Sequence, residues 1–132
     1  MKRLILLALL TLLLTPACRP PETGTRRASG ADAQRQVTVT LPEGPRLGNA
    51  PVLVEIRDGG QPFSGASVRI TGDMTHAGMV PVIVQAQEQA SGRYVAEDFA
   101  FSMAGDWILT VDIGYPEGGR EMSELRVTVP GG

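Results

Sequence analysis

Seven short runs in which apolar residues recur at every second position, parted by clusters of turn formers, restrict this chain more than any other feature. "QVTVTL" sets Val37, Val39 and Leu41 on one face, and "PVLVEIR" sets Val52, Val54 and Ile56 there with Glu55 and Arg57 opposite. "ASVRI" gives Val68 and Ile70, and "PVIVQAQ" gives Val82, Val84 and Ala86. "GRYVAEDFAF" runs into Phe99 and Phe101 with Met103 in the same register; "DWILTVDI" gives Trp107, Leu109, Val111 and Ile113; "ELRVTV" gives Leu125, Val127 and Val129. Successive side chains of a strand point to opposite faces, so such alternation marks a strand with one buried face. The separators "EGPRLGN", "DGGQPFSG", "QASG", "AGD" and "GYPEGG" are turn sequences. About seven short strands with no 3.6-residue period between them predict an all-β fold, a single immunoglobulin-like antiparallel β-sandwich. The lone cysteine leaves no partner for a disulfide across the sheets, so Trp107 is expected to fill the core by packing alone. Asp73 and Asp106, each beside a glycine, are expected to cap turns.

Ahead of the strands the chain has a different character. Lys2 and Arg3 precede an apolar run from Leu4 to Leu14 and then "TPAC". The run is too short to anchor in a bilayer and reads as a secretory leader over 1–17. Its end resembles a bacterial lipobox, with Ala17 before a Cys18 that becomes lipidated. Residues 18–35, mostly "RPPETGTRRASGADAQR", lack apolar periodicity and read as a flexible tether of roughly 20–25 Å average reach. The domain is then 36–132, long enough for one core. Without Lys2 and Arg3, 12 basic residues become 10, all arginine and scattered, against 14 acidic ones. That balance excludes nucleic-acid binding and purely electrostatic membrane adhesion, which need a concentrated basic face. The expected domain is monomeric and reaches the membrane through the lipid on Cys18.

Catalysis finds little support. The chain has one histidine and one cysteine, and the cysteine is assigned to lipid. There is no "GxSxG" elbow and no Gly-rich loop opening a helix. Glu97 and Asp98 are adjacent along the chain, so they do not form an acid–base pair on one strand face. Met122 is given no role. The chemically distinctive stretch is "GDMTHAGMVP", residues 72–81, where Met74, His76 and Met79 lie within six positions. Thioethers with an imidazole suit a soft cation, above all Cu(I); Zn(II) prefers thiolates or more histidines and Ca(II) takes oxygens. In extended chain Met74 and His76 project to the same side, and Gly78 lets the loop return Met79 toward them. A plainer reading stands beside this one. Met74 shares parity with Val68, Ile70 and Gly72 and continues the core face, as flexible methionines do, and His76 hydrogen-bonds a loop carbonyl. On the same parity Met103 belongs to the core.

"DGGQPFSGASVRI", "GDMTHAGMVPV" and "SGRYVAEDFAFSMAGDWILTVDI", taken together, resemble the YtkA-like domain, related to the FixH family, over residues 36–129. The resemblance implies an immunoglobulin-like sandwich of the kind seen in CopC-like copper carriers. It further implies an extracytoplasmic protein, on the periplasmic or cell-surface face of a bacterial membrane, serving copper handling or cytochrome oxidase assembly. Its partner would be a membrane protein such as an oxidase or copper transporter. By the same resemblance Met103 of "FSMAGDW" joins Met74, His76 and Met79 as a fourth soft ligand. Loops of this family often read Met-Pro-x-Met before a histidine or further methionine; here the order Met74, His76, Met79, Pro81 has one methionine fewer. The other class the sequence leaves open is a non-enzymatic binding or scaffold module of a membrane complex, with no metal of its own.

Overall fold

The computed structural model describes residues 35–76 and 78–132; the leader, Cys18 and nearly all of the tether lie outside the described residues. Among the described residues ten strands are formed, all pairing antiparallel: β1 (Arg35–Thr40), β2 (Gly48–Asn49), β3 (Val52–Asp58), β4 (Gln61–Pro62), β5 (Ser67–Met74), β6 (Val82–Ala90), β7 (Arg93–Ala96), β8 (Ala100–Phe101), β9 (Gly105–Gly114) and β10 (Arg120–Val129). Neighbours along the main path run β1-β3-β7-β6-β5-β9-β10. This is an immunoglobulin-like arrangement of two layers, β1-β3-β7 and β5-β9-β10, with β6 shared between them as the fourth strand of each. Val82 to Ala86 pair with β5, and Gln87 to Ala90 pair with β7, so β6 leaves one layer and enters the other where the small Ala86 faces the core.

The period-two runs decide which faces meet. Val52, Val54 and Ile56 of β3 close against Val68 and Ile70 of β5 and Trp107, Leu109, Val111 and Ile113 of β9, all buried. Val37, Val39 and Leu41 on one edge, with Leu125 and Val127 on the other, are half-buried against this core. Gly72 interrupts the apolar side of β5 for a steric reason: a Cβ there would stand 2.5 Å from Cζ of Phe99. The absent side chain therefore makes room for the first ring of an edge-to-face series, Phe99 to Phe101 to Trp107, with centroids 5.2 Å apart at each step, a favoured geometry for aromatic quadrupoles.

Three details depart from the sequence expectation. "GRYVAEDFAF" is two strands, not one, because Glu97 and Asp98 form a turn after β7, and the chain crosses to pair β8 with β2. That crossing lets Phe99 and Phe101 both face inward, with the Phe99 carbonyl accepting from the Ala50 amide at 2.8 Å. Asp73 and Asp106 lie within β5 and β9, exposed, not in turns; Asp106 accepts a hydrogen bond from the Thr128 hydroxyl at 2.7 Å. Arg35, assigned to the tether, is the first residue of β1. Its guanidinium lies over the rings of Phe63 and Tyr115, 4.7 and 4.0 Å from their centroids, and pairs with Asp58 at 3.3 Å and with Glu117. Burial works against the Arg35 charge, but Glu117 and Asp58 outweigh it and raise the pKa.

Candidate metal centre

The antiparallel order sends the end of β5, the start of β6, β8 and the start of β9 to one end of the sandwich, here the upper end, opposite Arg35. Met74 is the last residue of β5, in register with Trp107 of β9, and is 8% exposed. Its side chain continues the core face, and its Cε reaches toward Gly105, where a Cβ would lie only 2.9 Å away at a φ of +127° that side chains rarely adopt. Gly105 is thus the concession β9 makes to Met74 at this end. The Thr75 amide donates to the Asp106 carbonyl at 3.1 Å, extending the β5–β9 ladder one step and fixing where the following loop departs.

That loop closes the β5–β6 hairpin across the upper end. His76 is exposed in it, Gly78 turns with φ +100°, and Met79 packs half-buried against the core. Because β5 ends at Met74 and Thr75 and His76 form a bend, strand alternation no longer governs their relative direction. Met74 is consequently buried while His76 is exposed, unlike the same-side arrangement inferred from spacing. Met103 departs from its expected core position for a related reason. It falls in a bend after β8 and is 51% exposed, because the strand parity that holds Phe99 and Phe101 inward ends at Phe101. Its backbone is nonetheless held: the Trp107 indole N–H donates to the Met103 carbonyl at 3.0 Å. Trp107 therefore stands between the two segments, level with Met74 by register and bonded to Met103 by its ring.

The upper end thus carries four soft or borderline donors in two adjoining segments: Met74 inward, Met79 half-buried, His76 and Met103 outward. Among the described residues no three His, Cys, Asp or Glu side chains converge on a metal-sized site. The donors gathered here are thioethers and one imidazole, a set that fits a monovalent soft ion and not a hard divalent one. A separate shallow hollow of about 90 Å³ lies on the outer face of β5, β6, β9 and β10, lined by Ser67, Arg69, Gln85, Asp112 and Arg120 among others. It sits toward the opposite end and contains no donor from the methionine loop. The signal missed in the sequence was the tie between Trp107 and Met103, a local i, i+4 bond across a bend that no periodicity announces.

Comparison with known proteins gives one family and a structural neighbour. The sequence model of the YtkA-like family matches residues 31–112, more than half of the chain. Among solved structures, the soluble domain of PmoD from a Methylocystis species superposes with a TM-score of 0.49 at 15% identity, covering 73% of this chain and 90% of that one. No curated protein matches the chain.

Proposed function

The chain belongs to the YtkA-like family, and from that premise we propose that it is an extracytoplasmic copper-binding protein, held to a bacterial membrane by lipid on Cys18 and serving copper handling or oxidase assembly. The observation that carries the reading is the gathering of Met74, His76, Met79 and Met103 at one end of the sandwich. Thioether sulfur and neutral imidazole bind Cu(I) in preference to harder ions. His76 and Met103 meet an arriving ion first because they are exposed; Met79 and Met74 lie deeper and would close around it through their flexible side chains. Gly105 leaves the space into which the Met74 methyl already extends.

The test is a competition titration of the purified protein against a chromophoric Cu(I) chelator. Met74→Leu with Met79→Leu conserves volume and so keeps the fold, yet should weaken Cu(I) binding by about tenfold or more, the scale on which even outer groups tune a metal site. His76→Ala should likewise weaken Cu(I) binding, since it removes the one imidazole donor of the set. Equal affinity in wild type and the double variant overturns the metal reading. The burial of Met74 would then leave the second reading, a scaffold module whose methionine loop simply caps the core. Lipidation has its own assay: labelled fatty acid should enter the wild-type chain and not Cys18→Ser, and an unlabelled wild type removes the anchor.

A further inference from the structure

The same end of the domain bears the most prominent exposed apolar groups outside the outer sheet face. Val80 is 84% exposed in the methionine loop, Met103 is 51% exposed after β8, and Leu47 is 45% exposed where it bridges to Phe101. Leu47 and Met103 flank Phe101 from two chain segments, and Val80 lies on the loop that springs from Met74, so the three ring one pole. A monomeric surface rarely collects large apolar side chains at one pole without a use for them.

Charge selects the occupant. Asp73, Asp98 and Asp106 are exposed at this end, each one residue from the groups that build it: Met74, Phe99 and Trp107. Arg46, also nearby, is paired with Glu43. Of the other exposed arginines, Arg126 of β10 shares a cross-strand row with Asp73 through Ile108 and offsets part of this charge, and Arg69 lies lower on β5 in register with Asp112; Arg57, Arg93 and Arg120 stand at the opposite end with Arg35, as the strand directions require, so the upper end keeps an acidic excess. A second copy presenting the same acidic pole would be repelled, and so would an anionic lipid surface. An apolar centre with a negative rim fits a partner that is its complement. We propose that the upper end is a docking face for a protein whose contact surface is apolar at its centre and basic at its rim. The proposal stands on the metal-free surface and not on the copper reading.

The test uses the ¹⁵N-labelled full-length chain without added metal and two synthetic probes, the peptide KKLMLKK and its charge-reversed counterpart EELMLEE. The basic probe should shift the amides of Leu47, Met103 and the loop around Val80, and its affinity should fall about tenfold or more between 20 and 200 mM salt, as exposed charge complementarity is screened. EELMLEE should bind at least about tenfold more weakly at low salt. Asp73→Asn with Asp98→Asn and Asp106→Asn should weaken KKLMLKK about fivefold or more; the asparagines keep shape, including an acceptor for Thr128. If that variant does not fold, Leu47→Ser with Val80→Ser, both exposed, should give a comparable loss. The same shifts should persist in the Met74→Leu/Met79→Leu protein, which separates this proposal from the metal reading. Shifts at the arginine end, equal binding of the two peptides, concentration-dependent self-association through Leu47 and Val80, or binding to phosphatidylglycerol vesicles through them would each overturn it.

Discussion

Replacing Arg35 by methionine should destabilise the domain by about 2–3 kcal/mol, although the residue is at the margin of the first strand. The side chain is only 14% exposed and joins β1 to the β9–β10 turn, so it links the two layers at the end remote from the methionines. Its guanidinium has ring centroids at 4.7 and 4.0 Å, and the two rings meet edge to face at 5.5 Å. Cation–π contacts amount to roughly 0.5–1 kcal/mol each when exposed and about 2 when desolvated, which places the pair at about 1–2.5 kcal/mol here. The Asp58 pair adds only ~0.2–1 kcal/mol, because its carboxylate is partly open to solvent. Methionine keeps the apolar stem but neither term. Arg35→Lys keeps the charge and loses the flat face, so it should recover less than half the loss. Urea unfolding followed by fluorescence of Trp107, the only tryptophan, reports from the opposite end and so reads global stability. For a domain of about 100 residues the loss corresponds to roughly 10–20 °C in Tm. A double-mutant cycle with Tyr115→Leu should show coupling of about 1 kcal/mol. Arg35→Met within about 0.5 kcal/mol of wild type, or zero coupling to Tyr115, would mean that the stack contributes nothing and the layers are held by the core alone.

Gly72→Ala places a methyl against Phe99 and should cost about 1–3 kcal/mol by overpacking; chemical denaturation without a shift in midpoint would show that the ring moves freely. Trp107→Ala should cost about 3–5 kcal/mol, as truncating a fully buried aromatic does, whereas Trp107→Phe should lose less, because a phenyl ring still fills most of the indole's space, while increasing amide exchange at residues 102–105 through loss of the bond to the Met103 carbonyl. Burial, and for Tyr115 its hydrogen bond to Glu121, raise the pKa values of Tyr94 and Tyr115 above 10.0. Their neutral-state stabilisation is therefore complete below about pH 10 and is lost as pH rises above it, so tyrosinate absorbance should appear together with unfolding. Glu88, hydrogen-bonded by the amides of Gly65 and Gly92, and Glu117, held by its own backbone amide and by Arg35, are shifted down. Their contribution is present above the unfolded carboxylate pKa and fades as pH falls below it; a Tm unchanged from pH 6 to pH 3 would contradict this.

The seven main strands, the buried face of each and the family could all be read from the residues, whereas the two-residue strands β2, β4 and β8 could not; a period of two presents one apolar face, and the resemblance over 36–129 is met by the family model over 31–112. Val52, Val54, Ile56, Val68, Ile70 and the alternate residues of β9 lie inside, as their spacing requires. Parity, however, holds only while a strand lasts. Met103 continues the count from Phe99 and Phe101, yet the chain bends after Phe101 and carries it outward; His76 shares parity with Met74, yet β5 has ended. Where a strand stops depends on which neighbour still offers hydrogen-bond partners, a property of the assembled sheets. The layer change within β6, the turn inside "GRYVAEDFAF" and the placement of Asp73 and Asp106 in strands have the same origin. Arg35 reads as one charge in a polar stretch, because the rings that flank it come from residues 28 and 80 positions away. Local periodicity determined what each segment buries; only long-range pairing decided where segments end and which distant side chains meet at the two poles.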